Sequence, residues 1–147
     1  MRRLLFGPIR LFGDMQVYLW PVLVALLVTL FPYEWLAGIW PTFGSVFDPV
    51  FATTRAHLIG HTTLFFLLGL LILLSGPLLQ RRPLPYFALI LLVALGQEAL
   101  QALSKLHLPT DWDGLDLLLD LTGSALAFLL LWLWQRARQR LGPRAAN

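Results

Sequence analysis

Four apolar segments, each long enough to cross a lipid bilayer, are the feature that most constrains how this chain folds. They cover residues 17–39, 57–79, 84–103 and 115–134. A helix of about 20 apolar residues crosses a hydrocarbon core about 30 Å thick. Helices of a water-soluble bundle need polar outer faces, which these segments lack. The sequence therefore predicts one all-α domain over residues 1–147, a polytopic membrane bundle of about four transmembrane helices.

The overall composition agrees with this interpretation and excludes several classes of protein. The 147 residues are 58% hydrophobic and 13% charged, and their mean hydropathy of +0.72 exceeds that of ordinary soluble domains. The chain has no cysteine, so disulfides and thiolate metal sites are excluded. Its net charge of +3 does not indicate nucleic-acid binding, because the basic residues flank the apolar segments. We therefore expect membrane lipid as a partner, and no nucleic acid.

Prolines, glycines and basic residues mark the ends of the apolar segments. Pro32 is expected to end or kink the first segment. Residues 38–56 are interrupted too often by proline and glycine to form a span, and we interpret them as a loop. Residues 80–85 form a predicted basic turn, and residues 135–147 a basic tail.

The basic residues also predict the orientation of the bundle. Nine of the eleven lysines and arginines fall in the N-terminal segment, the second loop and the tail. Positive charge accumulates on the cytoplasmic side of membrane proteins. With four spans, both termini are therefore expected in the cytoplasm.

This orientation brings scattered polar residues to one depth, in the outer leaflet. An ionised carboxylate at membrane depth costs about 2.5–3.5 kcal/mol, so it needs a cation, a basic residue, a shared proton or a water-filled cavity. We predict that Glu98, Gln101, Asp116 and Asp120 face one another in a binding site with His61 near its rim. The candidate metal ligands, for a divalent cation such as Zn²⁺, Mn²⁺ or Mg²⁺, are His61, Glu98, Asp116 and Asp120.

Other polar and small residues near this site have simpler interpretations. His57 reads as a helix-end residue at the water interface, and Asp111 and Asp113 read as turn and N-cap residues of the fourth span. Gly123 and Ala127 are four apart, and small residues at that spacing are typical of a close contact between helices.

Three stretches of the chain carry a family resemblance. They are HTTLFFLLGLL at 61–71, EALQ at 98–101 and DLLLDLTG at 116–123. Over residues 57–130 the chain resembles the VanZ-like family, whose pattern is a His leading a Phe-rich span, a Glu-x-x-Gln and an Asp-x-x-x-Asn-x-x-Gly. Asp120 stands where the family has Asn, Thr110 aligns with a usual Arg, and His57 and Leu58 replace an Asp-Lys pair. These departures make the predicted site more negative than that of the family.

The resemblance implies a location and a broad role. It implies a multi-pass protein of the bacterial cytoplasmic (inner) membrane that acts in the cell envelope, through lipid or glycopeptide antibiotic interaction or resistance. The implied partners are membrane lipid and a lipid-linked cell-wall precursor or a glycopeptide. Two alternatives stay open: a small membrane-embedded metal-dependent hydrolase or transferase acting on a lipid-linked substrate, and a proton or cation relay within a larger transporter.

The predicted orientation can be tested by labelling single cysteines, because the chain has none of its own. Ser45→Cys and Ser104→Cys are expected to react with a membrane-impermeant maleimide in intact cells, with the cysteine-free parent as the control. Labelling that requires permeabilised membranes would reverse the orientation and the outer-leaflet placement of the site.

Overall fold

The chain forms a bundle of helices. The computed structural model describes the backbone of residues 20–105 and 111–141, and the side chains of 20–104 and 114–140. Every regular element within these residues is helical, which confirms the all-α prediction. The helices are α1 (Trp20–Leu30), α2 (Tyr33–Ile39), α3 (Pro41–Phe51), α4 (Thr54–Ser75), α5 (Pro83–Lys105) and α6 (Asp111–Leu141), with a short 3-10 turn (Leu79–Arg81) between α4 and α5. The predictions for residues 1–19, 106–110 and 142–147 lie outside the described residues.

Three helices, α4, α5 and α6, are each long and apolar enough to cross a membrane. Helices α1 and α2 meet the same criterion together, as one segment bent by 59°. The bend lies at Pro32, which has no N–H to donate and disfavours helical geometry at Phe31. The described chain therefore contains three candidate spans, or four if the bent pair is one span, in agreement with the predicted number.

The second predicted span, 57–79, begins and ends earlier in the structure. Helix α4 runs over Thr54–Ser75, and its start is capped by Thr53, whose Oγ1 accepts a hydrogen bond from the Ala56 N–H at 3.2 Å. The helix ends at Gly76, which is followed by proline, a pair that does not continue a helix.

Residues 38–56 are not the loop that the sequence predicts, because they contain α3. Pro41 is its first residue, where the missing N–H has no intrahelical partner to lose. Phe43, Phe47 and Phe51 recur every four residues, and their ring centroids lie 5.3 and 4.6 Å apart along the helix. At 11 residues α3 is too short to cross a bilayer, so the prediction that this region forms no span agrees with the structure.

The first part of the predicted basic tail is also helical, because α6 continues through residues 135–141. Its Arg, Gln and Leu residues are strong helix formers. The Arg136 guanidinium lies 3.9 Å from the ring centre of Trp132, and that of Arg138 lies 4.3 Å from the ring centre of Trp134. In each cation–π pair the two residues are one helical turn apart, so an arginine lies beside an aromatic ring at the end of the apolar stretch.

The core lies between α4, α5 and α6, and α4 packs most extensively against α6. Its buried apolar side chains are Phe65, Leu68, Ile72 and Leu73 of α4, Tyr86, Ile90, Val93 and Ala94 of α5, and Ala127 and Leu131 of α6. Residues of α1, such as Leu26 and Leu30, pack against this cluster from one side.

Two glycines allow the helices of the core to approach closely. A Cβ at Gly123 would collide with the Thr62 carbonyl oxygen of α4 and lie 3.0 Å from the Phe66 nitrogen. A Cβ at Gly69 would collide with the Tyr86 hydroxyl. The predicted packing role of Gly123 is therefore confirmed.

The outward surface of the candidate spans is apolar. About a third of the residues or fewer in the most apolar window of each span are buried: 33% in α4 and 28% in both α5 and α6. Large apolar side chains such as Leu67, Leu92 and Leu118 are more than half exposed. A surface of this kind is unfavourable in water and favourable in lipid, as expected of membrane-spanning helices.

The close approach of α4 and α6 predicts that Gly123→Ala destabilises the protein. The added methyl group would meet backbone atoms, which cannot rotate away, and overpacking of this kind costs about 1–3 kcal/mol. Gly114→Ala is the matched control on the same helix, because, apart from its chain neighbours and the nearby backbone of α6, no atom of the described residues lies within 4 Å of that Cβ position. Unfolding in detergent micelles should show a loss for Gly123→Ala and no loss for the control. Equal stabilities would contradict the tight contact.

Candidate functional site

Helices α4 and α6 meet along a row of polar contacts that we call the ladder. Its three pairs are His57 with Asp116, His61 with Asp120, and Phe65 with Ser124. In every pair the partners are 59 positions apart, and the pairs follow one another every four residues on both helices. The constant offset means that α4 and α6 run parallel, with matching faces in register.

The ring of His61 lies between two carboxylates. Its Nδ1–H donates to Asp120 Oδ1 at 2.9 Å, and its Nε2 lies 3.9 Å from Asp116 Oδ2. With Nδ1 bonded to Asp120, Nε2 is the ring nitrogen on the side of Asp116. Asp120 thus orients the imidazole.

His57 forms the end of the ladder that is most exposed to solvent. Its Nε2 lies 3.1 and 3.0 Å from the two carboxylate oxygens of Asp116. The His57 side chain is 34% exposed, whereas that of Asp116 is only 7% exposed. The imidazole therefore covers a carboxylate that is otherwise buried between the helices.

Glu98 of α5 brings a third carboxylate to the ladder. One of its oxygens, a ring nitrogen of His61 and an oxygen of Asp120 all lie within 4.8 Å of one another. All three residues are buried, and Asp120 is 0% exposed. Asp120 Oδ2 is also buried and accepts no hydrogen bond from any residue that the structure describes. Three carboxylates this close in an apolar bundle require positive charge or protons among them.

A second hydrogen-bonded group fixes the backbone of α6 beside Asp120. Ser124 Oγ lies 2.9 Å from the Asp120 carbonyl oxygen and 3.3 Å from the Phe65 carbonyl oxygen. The Tyr86 hydroxyl of α5 donates to the Ser124 carbonyl oxygen at 2.9 Å. These contacts join all three core helices one turn beyond the second His–Asp pair.

A cavity of about 470 Å³ adjoins the ladder, between α1, α2 and α3 on one side and α4 and α5 on the other. We call it the aromatic cavity. Its aromatic lining consists of Phe31, Tyr33, Phe43, Phe47 and Phe51, and its polar lining includes Thr29, Glu34, His57, His61, Gln97, Gln101 and Ser104. Its volume is typical of small-molecule binding sites. Gln97 Oε1 and Thr29 Oγ1 are buried and have no hydrogen-bond partner among the described residues.

The structure brings most of the predicted site residues together and corrects the placement of one. Asp116, Asp120 and Glu98 all lie around His61. His61 is 8% exposed, so its predicted place near the rim is wrong. Gln101 lines the aromatic cavity beside Gln97, whereas Glu98 lies at the ladder.

His57 lies in the first turn of α4, as predicted for a helix-end residue, but its ring pairs with Asp116, which the sequence did not predict. Its spacing of four from His61 matches the spacing of Asp116 and Asp120, and that match is the signal that could have identified it. Gln97 was missed because the other residues that line the aromatic cavity come mostly from elements distant in the sequence. Helix α6 begins at Asp111, but the side chains of Asp111 and Asp113 lie outside the described residues.

Two groups of side chains have the spacing of metal ligands. One consists of His57, His61 and Asp116, and the other of His61, Glu98 and Asp120. In each group one ligand atom per residue lies within 4.8 Å of the others. The two groups share His61 and together contain all four predicted ligands, His61, Glu98, Asp116 and Asp120.

Comparison of the chain with family models, with curated proteins and with solved structures gives no significant match.

The second His–Asp pair of the ladder predicts strong energetic coupling between its partners. Asp120→Leu would leave the buried Nδ1–H of His61 without its acceptor, at a cost of about 1–3 kcal/mol. The double variant Asp120→Leu/His61→Phe removes both partners and should lose less stability than the two single variants combined. A double-mutant cycle in detergent should give a coupling energy of about 0.5–3 kcal/mol. Additive losses would show that the pair is not coupled.

Proposed function

We propose that this chain is a VanZ-like integral membrane protein of the bacterial cytoplasmic membrane that binds an amphipathic ligand from the outer leaflet. The ligand class is a membrane lipid, a lipid-linked cell-wall precursor or the lipid tail of a glycopeptide antibiotic. Such binding gives the protein a role in the cell envelope, in antibiotic interaction or resistance.

The observation that carries this proposal is the two-sided lining of the aromatic cavity. Phe31 at the bend and the rings of α2 and α3 supply one apolar wall, and His57, His61 and Gln97 supply a polar wall. An acyl or prenyl chain suits the first wall because burial of apolar surface is favourable. A hydroxyl or an amide suits the second, because it can donate to the buried Gln97 Oε1, which has no partner among the described residues.

The positions of the basic residues support an outer-leaflet location for the cavity. Gln135 Nε2 donates to Gln80 Oε1 at 2.6 Å, so the α4–α5 turn lies beside the last part of α6. The arginines at 81 and 82 and those at 136, 138 and 140 therefore gather at one end of the bundle. The His–Asp pairs lie toward the other end of α4 and α6. Under the positive-inside rule, the basic end is cytoplasmic and the cavity faces outward.

Removal of one aromatic ring from the cavity should weaken lipid binding. Phe47→Ala deletes a ring that contacts Tyr33, Phe43 and Phe51. Phe47 is half-buried, and burial of the rest of its apolar surface under a lipid chain is worth about 1–2 kcal/mol, or about tenfold in affinity. Native mass spectrometry of the detergent-purified protein would measure retained and titrated lipid. Val46→Ala, on the exposed face of α3, is the control. Equal lipid retention by both variants would contradict the binding of lipid in the aromatic cavity.

Charge removal at the ladder should abolish the envelope phenotype without unfolding the protein. Glu98→Gln and Asp116→Asn keep the shape and hydrogen-bonding capacity of the side chains. Sites that bind ligands are commonly held at a cost in stability, so these variants should fold as well as the parent or slightly better. The measurement is sensitivity to glycopeptide and lipid-targeting antibiotics in cells with and without the protein, alongside melting temperature.

Asp48→Asn, on the exposed surface of α3, is the matched control for loss of one carboxylate. Unchanged protection by Glu98→Gln, Asp116→Asn and their double variant, with a clearly protective parent, would exclude the ladder from the function. Protection retained per folded molecule with reduced melting temperature would assign the carboxylates a structural role.

One observation favours a second function, a small membrane-embedded metal-dependent hydrolase or transferase acting on a lipid-linked substrate. Two imidazoles of the polar wall converge on the carboxylate of Asp116 beside a cavity of substrate size. A metal held by such groups activates water or polarises a phosphate. Turnover of a lipid-linked pyrophosphate by the metal-loaded protein, measured as release of phosphate or of a transferred group, distinguishes this function from binding alone.

A further inference from the structure

We propose that His57, His61 and Asp116 form a site for one divalent transition-metal ion, with Zn²⁺ as the ion that fits it best. One ligand atom of each residue lies within 4.8 Å of the other two. This inference goes beyond the binding of an amphipathic ligand and does not depend on it, because the three ligands all come from α4 and α6.

The ligand types select the metal. Two imidazole nitrogens and one carboxylate oxygen are typical of catalytic zinc sites and of non-haem iron sites. Mg²⁺ and Ca²⁺ prefer ligand sets made only of oxygen. The site is therefore expected to discriminate against these two ions, although three carboxylates lie nearby.

The distances between the ligand atoms fit a tetrahedral ion. Bonds of about 2.0–2.1 Å place neighbouring ligand atoms about 3.3 Å apart. Asp116 Oδ2 lies 3.0 Å from His57 Nε2 and 3.9 Å from His61 Nε2. These two distances bracket the expected edge, and the third, between the two imidazole nitrogens, lies within 4.8 Å.

Asp120 supplies the outer contact that histidine ligands of metals usually have. Such a histidine donates its other ring N–H to a carboxylate or a carbonyl, which fixes its tautomer. His61 donates from Nδ1 to Asp120 Oδ1, so its Nε2 is the nitrogen left to bind an ion. This arrangement favours His57, His61 and Asp116 over His61, Glu98 and Asp120, because in the second group Asp120 would leave its orienting role to become a ligand.

The ion would also supply the positive charge that the carboxylates of the ladder require. An ion with two positive charges beside Asp116 and Asp120 stabilises carboxylates that lie in an apolar bundle. Three protein ligands leave a coordination position for water or for an oxygen of a bound molecule. Both histidines line the aromatic cavity, so that position is expected to be accessible from it.

Zn²⁺ binding at His57 requires a change of tautomer. A neutral His57 that donates from Nε2 to Asp116 has to carry its proton on Nδ1 instead before Nε2 can bind an ion.

The test is titration of chelator-stripped, detergent-purified protein with Zn²⁺, followed by elemental analysis. The parent should bind about one ion per chain, and His57→Ala, His61→Ala and Asp116→Asn should each lose at least about 100-fold in affinity. Asp120→Ala should keep the ion but bind it about 10–100-fold more weakly, as expected of an orienting residue. Asp48→Asn is the control and should match the parent. Mg²⁺ at millimolar concentration should not compete.

The parent alone provides a second measurement that does not depend on how the variants fold. X-ray absorption of the Zn²⁺-loaded parent should show two imidazole ligands with nitrogen and oxygen at about 2.0–2.1 Å. One imidazole ligand, or loss of binding in Glu98→Gln with normal binding in His57→Ala, would assign the ion to the other group and overturn the proposal. Absence of Zn²⁺ binding by the parent, or equal binding by all variants, would also overturn it.

Discussion

The two imidazole–carboxylate pairs between α4 and α6 are the interaction on which the site depends. Asp116 and Asp120 are buried, and a buried carboxylate without a partner would be too costly to keep in an apolar bundle. His57 and His61 supply the donors, and the shared offset of 59 residues fixes the two helices in parallel register. Any shift of register would separate both pairs at once, so the polar contacts specify the packing of the apolar residues around them.

The close packing of α4 and α6 makes these short contacts geometrically accessible. Gly123 lets the α6 backbone approach Thr62, and Gly69 leaves room for the Tyr86 hydroxyl. A larger residue at position 123 would separate the helices at the level of the His61–Asp120 pair. Apolar close contact and polar pairing are therefore parts of the same interface, as is common where helices associate in lipid.

The aromatic cavity lies where helices leave open space between them, in contrast to the close contact of α4 and α6. Helix α3 contributes three phenylalanine rings in contact with one another, Tyr33 of α2 stacks on one of them, and the bend at Pro32 turns α2 away from the direction of α1. The long helices α4 and α6 carry the ladder, and the shorter helices α1, α2 and α3 line the cavity beside it. The proposed ligand chemistry depends on both, because the apolar and polar walls of the cavity come from different parts of the chain.

Sequence patterns predict the helical class, the number of candidate spans, the packing role of Gly123 and the clustering of Glu98, Asp116 and Asp120 near His61. Long apolar runs form helices in a membrane, and spacings of four residues place polar groups on one face. The pairing of His57 with Asp116, the burial of His61 and the helix with a phenylalanine face at residues 41–51 became visible in the structure. These depend on which helix faces meet and on the parallel register of α4 and α6, and helical periodicity within one segment contains no information on either.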